Sequence, residues 1–180
     1  MQAERNFVST LCLILLCSAI VLGSSTLAAA QESSLDGTYI LDETDSDNIN
    51  AAIETAVGRL DFVRRDIARG RLEKLNPAYR KVAIASSPNE ISVTVDNQPP
   101  LRTPATGAPV VWVGPDRATV NVSMRLDGRR LVQTFASGDG RRVNDYVLSP
   151  DGRTLTMQVT ETSRQLSQPI TYKQVYRRFS

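Results

Sequence analysis

The sequence predicts a mainly β protein: a single up-and-down antiparallel β-barrel, or a strongly curved meander, of about eight to ten strands, with one amphipathic helix and a short second helix after the first strand. Three observations predict it. Apolar residues recur at helical spacing only between Ile49 and Ile67. From Arg80 onward they alternate with a period of two, the mark of half-buried strands. The breaks between these runs are short and carry turn chemistry, as in Gly114-Pro115-Asp116, Asp127-Gly128, Gly138-Asp139-Gly140 and Pro150-Asp151-Gly152, which joins neighbouring antiparallel strands.

Taken in order, the first 30 residues have the layout of a cleavable secretory signal. Arg5 lies in a short polar stretch, an apolar run from Leu11 to Leu22 is broken only by Ser18, and Ala28-Ala29-Ala30 precede Gln31, the order such signals require. The apolar run falls short of the roughly 18 residues that cross a bilayer, so cleavage is expected rather than a retained anchor. Both cysteines, Cys12 and Cys17, lie in this segment, each after a leucine where a lipid-modified cysteine wants a small residue. The expected product is an exported protein, periplasmic or extracellular, with no stable membrane insertion. Residues 31–36 read as a flexible lead-in and 37–180 as one domain, with a helix over 48–70.

Composition narrows the function. Taking Glu4 and Arg5 from 21 basic and 19 acidic side chains leaves 20 against 18, a balance that points to no nucleic-acid partner. There is no histidine, and the mature chain has no cysteine, so the usual zinc, haem, iron-sulfur and copper ligand sets are excluded, together with Ser-His-Asp and Cys-His catalysis. No cofactor or catalytic residue is expected. Glu43, Asp45, Asp47 and Glu54 fall at positions 1, 3, 5 and 12 of a calcium-loop frame, but Asn48 stands where the frame needs its sharp-turn glycine. The cluster reads instead as a helix start, with Ser46, Asp47 or Asn48 as the cap.

Gly37 to Leu41 reads as a strand, and the helix that follows carries Ile49, Ala52, Ile53, Ala56, Val57, Leu60, Val63 and Ile67 on one face. Asp61 and Arg65 are spaced as a helical ion pair, and Gly70 suits the C-terminal cap. A second piece, Arg71 to Leu75, stops at Asn76-Pro77. Val82 and Ile84 alternate, as do Ile91, Val93 and Val95, while Pro99, Pro100, Pro104 and Pro109 mark a loop or irregular edge. Further strands are expected over 110–113, 118–126, 130–136, 142–148, 154–161 and 170–179.

A strand, a helical pair and a long meander, in that order, resemble the fatty-acid-binding branch of the calycin superfamily. Gly37-Thr38-Tyr39 looks like the Gly-x-Trp opening of lipocalins, and Val175-Tyr176-Arg177-Arg178 looks like the Val-Tyr ending of fatty-acid-binding proteins. That ending carries, two positions before its tyrosine, an arginine that holds a fatty-acid carboxylate; here the position is Gln174. The stretch Arg64 to Leu72 is similar to a segment of uncharacterised exported bacterial proteins.

In a closed meander one face of each strand points inward. For the last strand this is either Ile170, Tyr172, Gln174, Tyr176 and Arg178 or the set Thr171, Lys173, Val175, Arg177 and Phe179, and the first makes the better interior. Its expected neighbours are Leu155, Met157 and Val159, then Val143, Asp145 and Val147, then Leu131, Gln133 and Phe135. Such a wall suits a small apolar or amphipathic ligand, with Tyr172, Gln174, Tyr176, Gln133, Asp145 and Trp112 as candidate contacts. Two other readings stand beside it: a filled core with no ligand, whose arginine-rich helix docks a partner, and an enzyme built on Asp145 facing Glu161.

Overall fold

The computed structural model describes residues 34–114 and 117–179; the expected signal segment and residues 31–33 of the lead-in lie outside them. Ten antiparallel strands form a single sheet: β1 (Gly37–Asp42), β2 (Lys81–Ser86), β3 (Glu90–Val95), β4 (Leu101–Pro104), β5 (Val110–Val113), β6 (Thr119–Asp127), β7 (Arg130–Ala136), β8 (Gly140–Leu148), β9 (Thr154–Ser163) and β10 (Ile170–Arg178). Their order, β4-β3-β2-β1-β10-β9-β8-β7-β6-β5, is a meander in which the first and last strands pair. The sheet curls into a nearly closed barrel with β4 and β5 at its two edges, and β4 lies against β6 across the seam. The proline-rich stretch thus supplies an edge strand, where missing ladder donors cost least.

The single helix expected over 48–70 is two. The first, α1 (Ile49–Val57), starts at Asn48, whose side chain accepts from the Ala51 N–H, and it buries Ile49, Ile53, Ala56 and Val57 against the barrel core. It ends at Gly58. Asp61 then caps α2 (Phe62–Leu75) by accepting from the Arg64 N–H. Arg65 staples the break, its Nη2 donating to the carbonyls of Gly58 and Leu60 at 3.0 Å each, so the end of α1 keeps its carbonyls partnered. The spacing from Ile49 to Ile67 runs through this break unchanged, which is why periodicity alone reads one helix.

Consequently Gly70 lies inside α2 rather than at a cap, and Asp61 pairs with Arg64, at 3.3 Å, rather than with Arg65. The second helix buries only Leu72 and leaves Phe62, Val63 and Ile67 at 76%, 66% and 70% exposure. Asn76 closes it, returning both its backbone N–H and its side-chain Nδ2 to the Leu72 carbonyl.

The core is one cluster that runs from α1 through the barrel. Tyr39, Ile53, Leu131, Leu155 and Tyr176 are completely shielded within it. At the end away from the helices, Arg178 lies 5.0 Å over the Tyr39 ring and donates to the carbonyls of Ser34, Asp36 and Gly152.

Candidate functional site

The inner face of β10 is the expected one: Ile170, Tyr172, Gln174 and Tyr176 are buried, and Arg178 lies at the far end of the same face. Leu155, Met157 and Val159 on β9 and Leu131 and Gln133 on β7 join them, with Phe135 half-buried. Trp112 is on the same side of β5, half-buried, its ring against Phe135.

On β8 the expected phase is inverted. Leu131 pairs with Tyr146, Gln133 with Asn144 and Phe135 with Arg142, so Arg142, Asn144, Tyr146 and Leu148 face inward. Asp145 is on the outer face, joined to Arg130 by two hydrogen bonds of 2.8 and 2.7 Å, and is not an interior contact. Asp145 and Glu161 therefore lie on opposite faces, and the paired carboxylates an enzyme reading needs do not form. The turn carries the reason. Ser137 to Gly140 close a tight hairpin through a Ser137 N–H to Gly140 carbonyl bond, with an even number of residues between each cross-strand pair. Odd positions on β7 therefore face even positions on β8, and a slip of one residue moves a whole strand's side chains to the other face.

Arg142 and Asn144 are thus interior residues that alternation alone misses, and they anchor a polar network. Arg142 donates from Nε to Asn144 Oδ1 at 2.9 Å, from Nη1 to Asn76 Oδ1 at 2.7 Å and the Leu75 carbonyl at 3.1 Å, and from Nη2 to the Tyr172 oxygen at 3.1 Å. The Tyr172 hydroxyl donates to Asn76 Oδ1 at 2.9 Å. Gln133 Oε1 accepts from Asn144 Nδ2 at 2.9 Å and from the Tyr146 hydroxyl at 3.3 Å. Glu161 faces Arg142 at 3.9 Å, both side chains being 15% exposed. Burial pushes the hydroxyls of Tyr146, Tyr172 and Tyr176 above the ordinary tyrosine range, because a phenolate there would lack solvation.

Gln174 reaches the helical end of the barrel, where its Nε2 donates to the carbonyls of Asp47 and Lys173 at 3.1 and 3.2 Å. It forms part of a groove of about 380 Å³ with Leu41, Asp47, Ile49, Glu73 and Asn76. The acids of the calcium frame are dispersed: Asp45 pairs with Arg177, Glu54 with Arg69, and Asp47 accepts from the Lys173 N–H. Among the described residues no group of three acidic, histidine or cysteine side chains is placed to hold a metal ion, and no helix is long and apolar enough to cross a membrane.

No protein-family model matches the chain, and no curated protein matches it in sequence. Solved structures do. A fatty-acid-binding protein from brain tissue of Drosophila melanogaster aligns with a TM-score of 0.54 at 16% identity, over 80% of this chain and 99% of that one. The fold is that of the fatty-acid-binding barrels. A fatty acid transporter, REP1-NXSQ, aligns with a TM-score of 0.52 at 13% identity over 81% of this chain and 96% of its own. Fatty-acid-binding protein 1 of Echinococcus granulosus gives 0.51 at 12% identity over 81% and 98%. The barrel architecture expected from the order of elements is thus present, with two helices after the first strand.

Proposed function

We propose that this is an exported binding protein whose barrel holds a small apolar or amphipathic molecule, contacted by Tyr172, Gln174, Tyr176 and Gln133 and overlooked by Trp112. One observation carries the reading: the Tyr176 hydroxyl is buried without a hydrogen-bond partner, on a residue that lies opposite Leu155 and Leu41 of the neighbouring strands. An unpartnered buried hydroxyl costs about 1–3 kcal/mol, and a core that needed only filling is better served there by phenylalanine. The barrel fold, shared with proteins named for binding fatty acids, supports the same reading. Export rests on the layout of the first 30 residues.

Because Tyr39, Leu131, Leu155 and Tyr176 are completely shielded, a ligand enters by displacing side chains rather than by filling a void. The element most easily lifted is α2, which buries only Leu72; elements with few buried apolar contacts open at low free energy. The test is native mass spectrometry of the mature chain after mild purification, which is expected to show a bound small molecule lost on denaturation.

The same shielding favours a second reading, in which the core is simply filled and the exposed Phe62, Val63 and Ile67 of α2 meet another protein. A folded protein that carries no small molecule and takes up none from a panel of fatty acids, retinoids and hydrophobic dyes decides for it.

A further inference from the structure

The two edges of the sheet are not alike. An unpaired edge is a template for another chain, and proteins blunt it with charge or proline. β4 is blunted both ways: Pro104 closes it, Pro99 and Pro100 precede it, and Arg102 is held by Glu90 on β3. β5 has neither, for its four residues are Val110, Val111, Trp112 and Val113. Among the described residues β5 pairs with β6 alone, and no hydrogen bond joins it to β4 across the seam. Val111 and Val113 are 71% and 59% exposed, against 45% for Val147, an outward valine on β8, which is paired on both sides.

The turn beyond β5 fixes which backbone groups face the edge. The Gly114 N–H donates to the Ala118 carbonyl at 2.8 Å and the Arg117 N–H to the Gly114 carbonyl at 2.9 Å, so Gly114 and Ala118 lie at a hydrogen-bonded position of the ladder. Such positions alternate along an antiparallel pair. Trp112 and Val110 therefore bond to Val120 and Val122 opposite them, and the N–H and C=O groups of Val111 and Val113 point away from β6, along the free edge.

We infer that this edge is a self-association surface: β5 pairs antiparallel with β5 of a second copy about a twofold axis at Trp112, with Val111 opposite Val113 of the other chain. In that register both outward residues exchange N–H···O bonds with their partners. An axis at Val111 sets Val113 opposite Pro109, and an axis at Val113 sets Val111 opposite Pro115; proline has no N–H to give. A twofold contact brings a patch against itself, so any charge on it meets its like. Val111 and Val113 lie beside Asn121 and Thr119 of β6, and none of the four is charged. The patch therefore suits its own copy and offers nothing to an acidic or a basic partner. On the inner face Trp112 is already packed against Phe135 on β7, while on the outer face valine meets valine across the joint, an apolar cross-strand pair. The pairing does not depend on what the barrel holds.

Sedimentation equilibrium of the mature chain tests this. So small a contact supports a reversible dimer, with a dissociation constant on the order of 100 μM. Val111→Lys with Val113→Lys sets lysine opposite lysine at both pairs and is expected to weaken association at least about tenfold. Val111→Lys with Val113→Glu in the same chain sets lysine opposite glutamate at both pairs. It is expected to dimerise about as tightly as the unaltered protein at low salt and to lose that affinity as salt rises. Both positions are exposed, and circular dichroism checks that each variant is folded. A monomer at every soluble concentration of the unaltered protein overturns the proposal and leaves the edge to a strand of a different protein. A dimer that the paired lysines leave intact, or that lysine with glutamate fails to restore, overturns it too, by placing the contact elsewhere or in another register.

Discussion

The indole of Trp112 on β5 meets the ring of Phe135 on β7 edge to face, their centroids 5.8 Å apart and their planes inclined at 65°. The pair sits beside the open seam, on the inner side of the sheet. An apolar molecule entering the barrel is expected to change the emission of this single tryptophan, because the indole exchanges part of its half-wetted surroundings for apolar contact. Phe135→Ala is expected to alter the starting spectrum and to lower stability by about 1–3 kcal/mol, somewhat less than a fully buried phenylalanine costs. Emission that stays constant with a ligand shown by calorimetry to be bound would place the ligand away from this end of the interior.

Replacing Arg142 by Leu is expected to destabilise the protein by about 3–5 kcal/mol, since Glu161 is then left buried without its counter-charge. Adding Glu161→Gln is expected to recover a large part of that loss. Urea titration of the single and double variants measures the coupling, and additive effects would show that the 3.9 Å approach contributes nothing.

By contrast, Asp145→Asn is expected to change stability by no more than about 1 kcal/mol and to leave ligand affinity unaltered, because its partner Arg130 lies on the outer face and is largely exposed. A large loss of affinity in this variant would contradict the observed phase of β8.

How far the sequence could be read follows from these same residues. Alternation on β9 and β10 favours one face, because Leu155, Met157 and Val159 oppose Thr156, Gln158 and Thr160, and Ile170, Tyr172 and Tyr176 oppose Thr171, Lys173 and Arg177, with Val175 the one apolar interruption among those outer positions. On β8 both faces offer apolar side chains, Val143 and Val147 against Tyr146 and Leu148. Only the turn parity decides between them, and hydropathy does not carry it. The break between α1 and α2 was hidden for a related reason. Asp61 reads as one end of an ion pair in a continuous helix or as the cap of a new one, and the capping bond to Arg64 is a local event with no periodic trace. The polar network was illegible because Asn76 and Arg142 are 66 positions apart.

Removing that cap gives a modest effect. Asp61→Ala is expected to cost about 1 kcal/mol and to increase amide hydrogen exchange along α2 while β9 and β10 stay protected. Uniform loss of protection would show that α2 does not open as a separate unit.

Stability against pH is expected to be flat between about pH 5 and 8, as the chain has no histidine to titrate there. On the acid side, Arg177 holds the Asp42 carboxyl below its usual range and Arg69 does the same for Glu54. Their stabilisation is present above the unfolded values of 3.8 and 4.5 and is lost as pH falls through the lower folded ones. On the alkaline side, burial raises Tyr146 and Tyr176 above the ordinary value of 10.0. The unfolded chain then releases protons that the folded chain retains, so stability declines as pH rises past 10.0. Tyrosinate absorbance that develops for these residues while circular dichroism remains native would contradict this.

The clasp that Arg178 makes with Ser34, Asp36 and Gly152 has a mechanical meaning. Because β1 and β10 are antiparallel neighbours, with Tyr39 opposite Arg178, the two ends of the folded chain leave from the same rim. A pulling force applied through them loads the β1–β10 ladder one rung at a time, as a zipper, rather than all rungs together in shear. In that geometry the guanidinium is a stop at the end of the zipper: it holds the Ser34 and Asp36 carbonyls and the Tyr39 ring beside the outermost rung, where the Phe179 N–H donates to the Thr38 carbonyl. Resistance of this barrel to being drawn apart thus starts at its rim, where one side chain and one backbone rung share the first load.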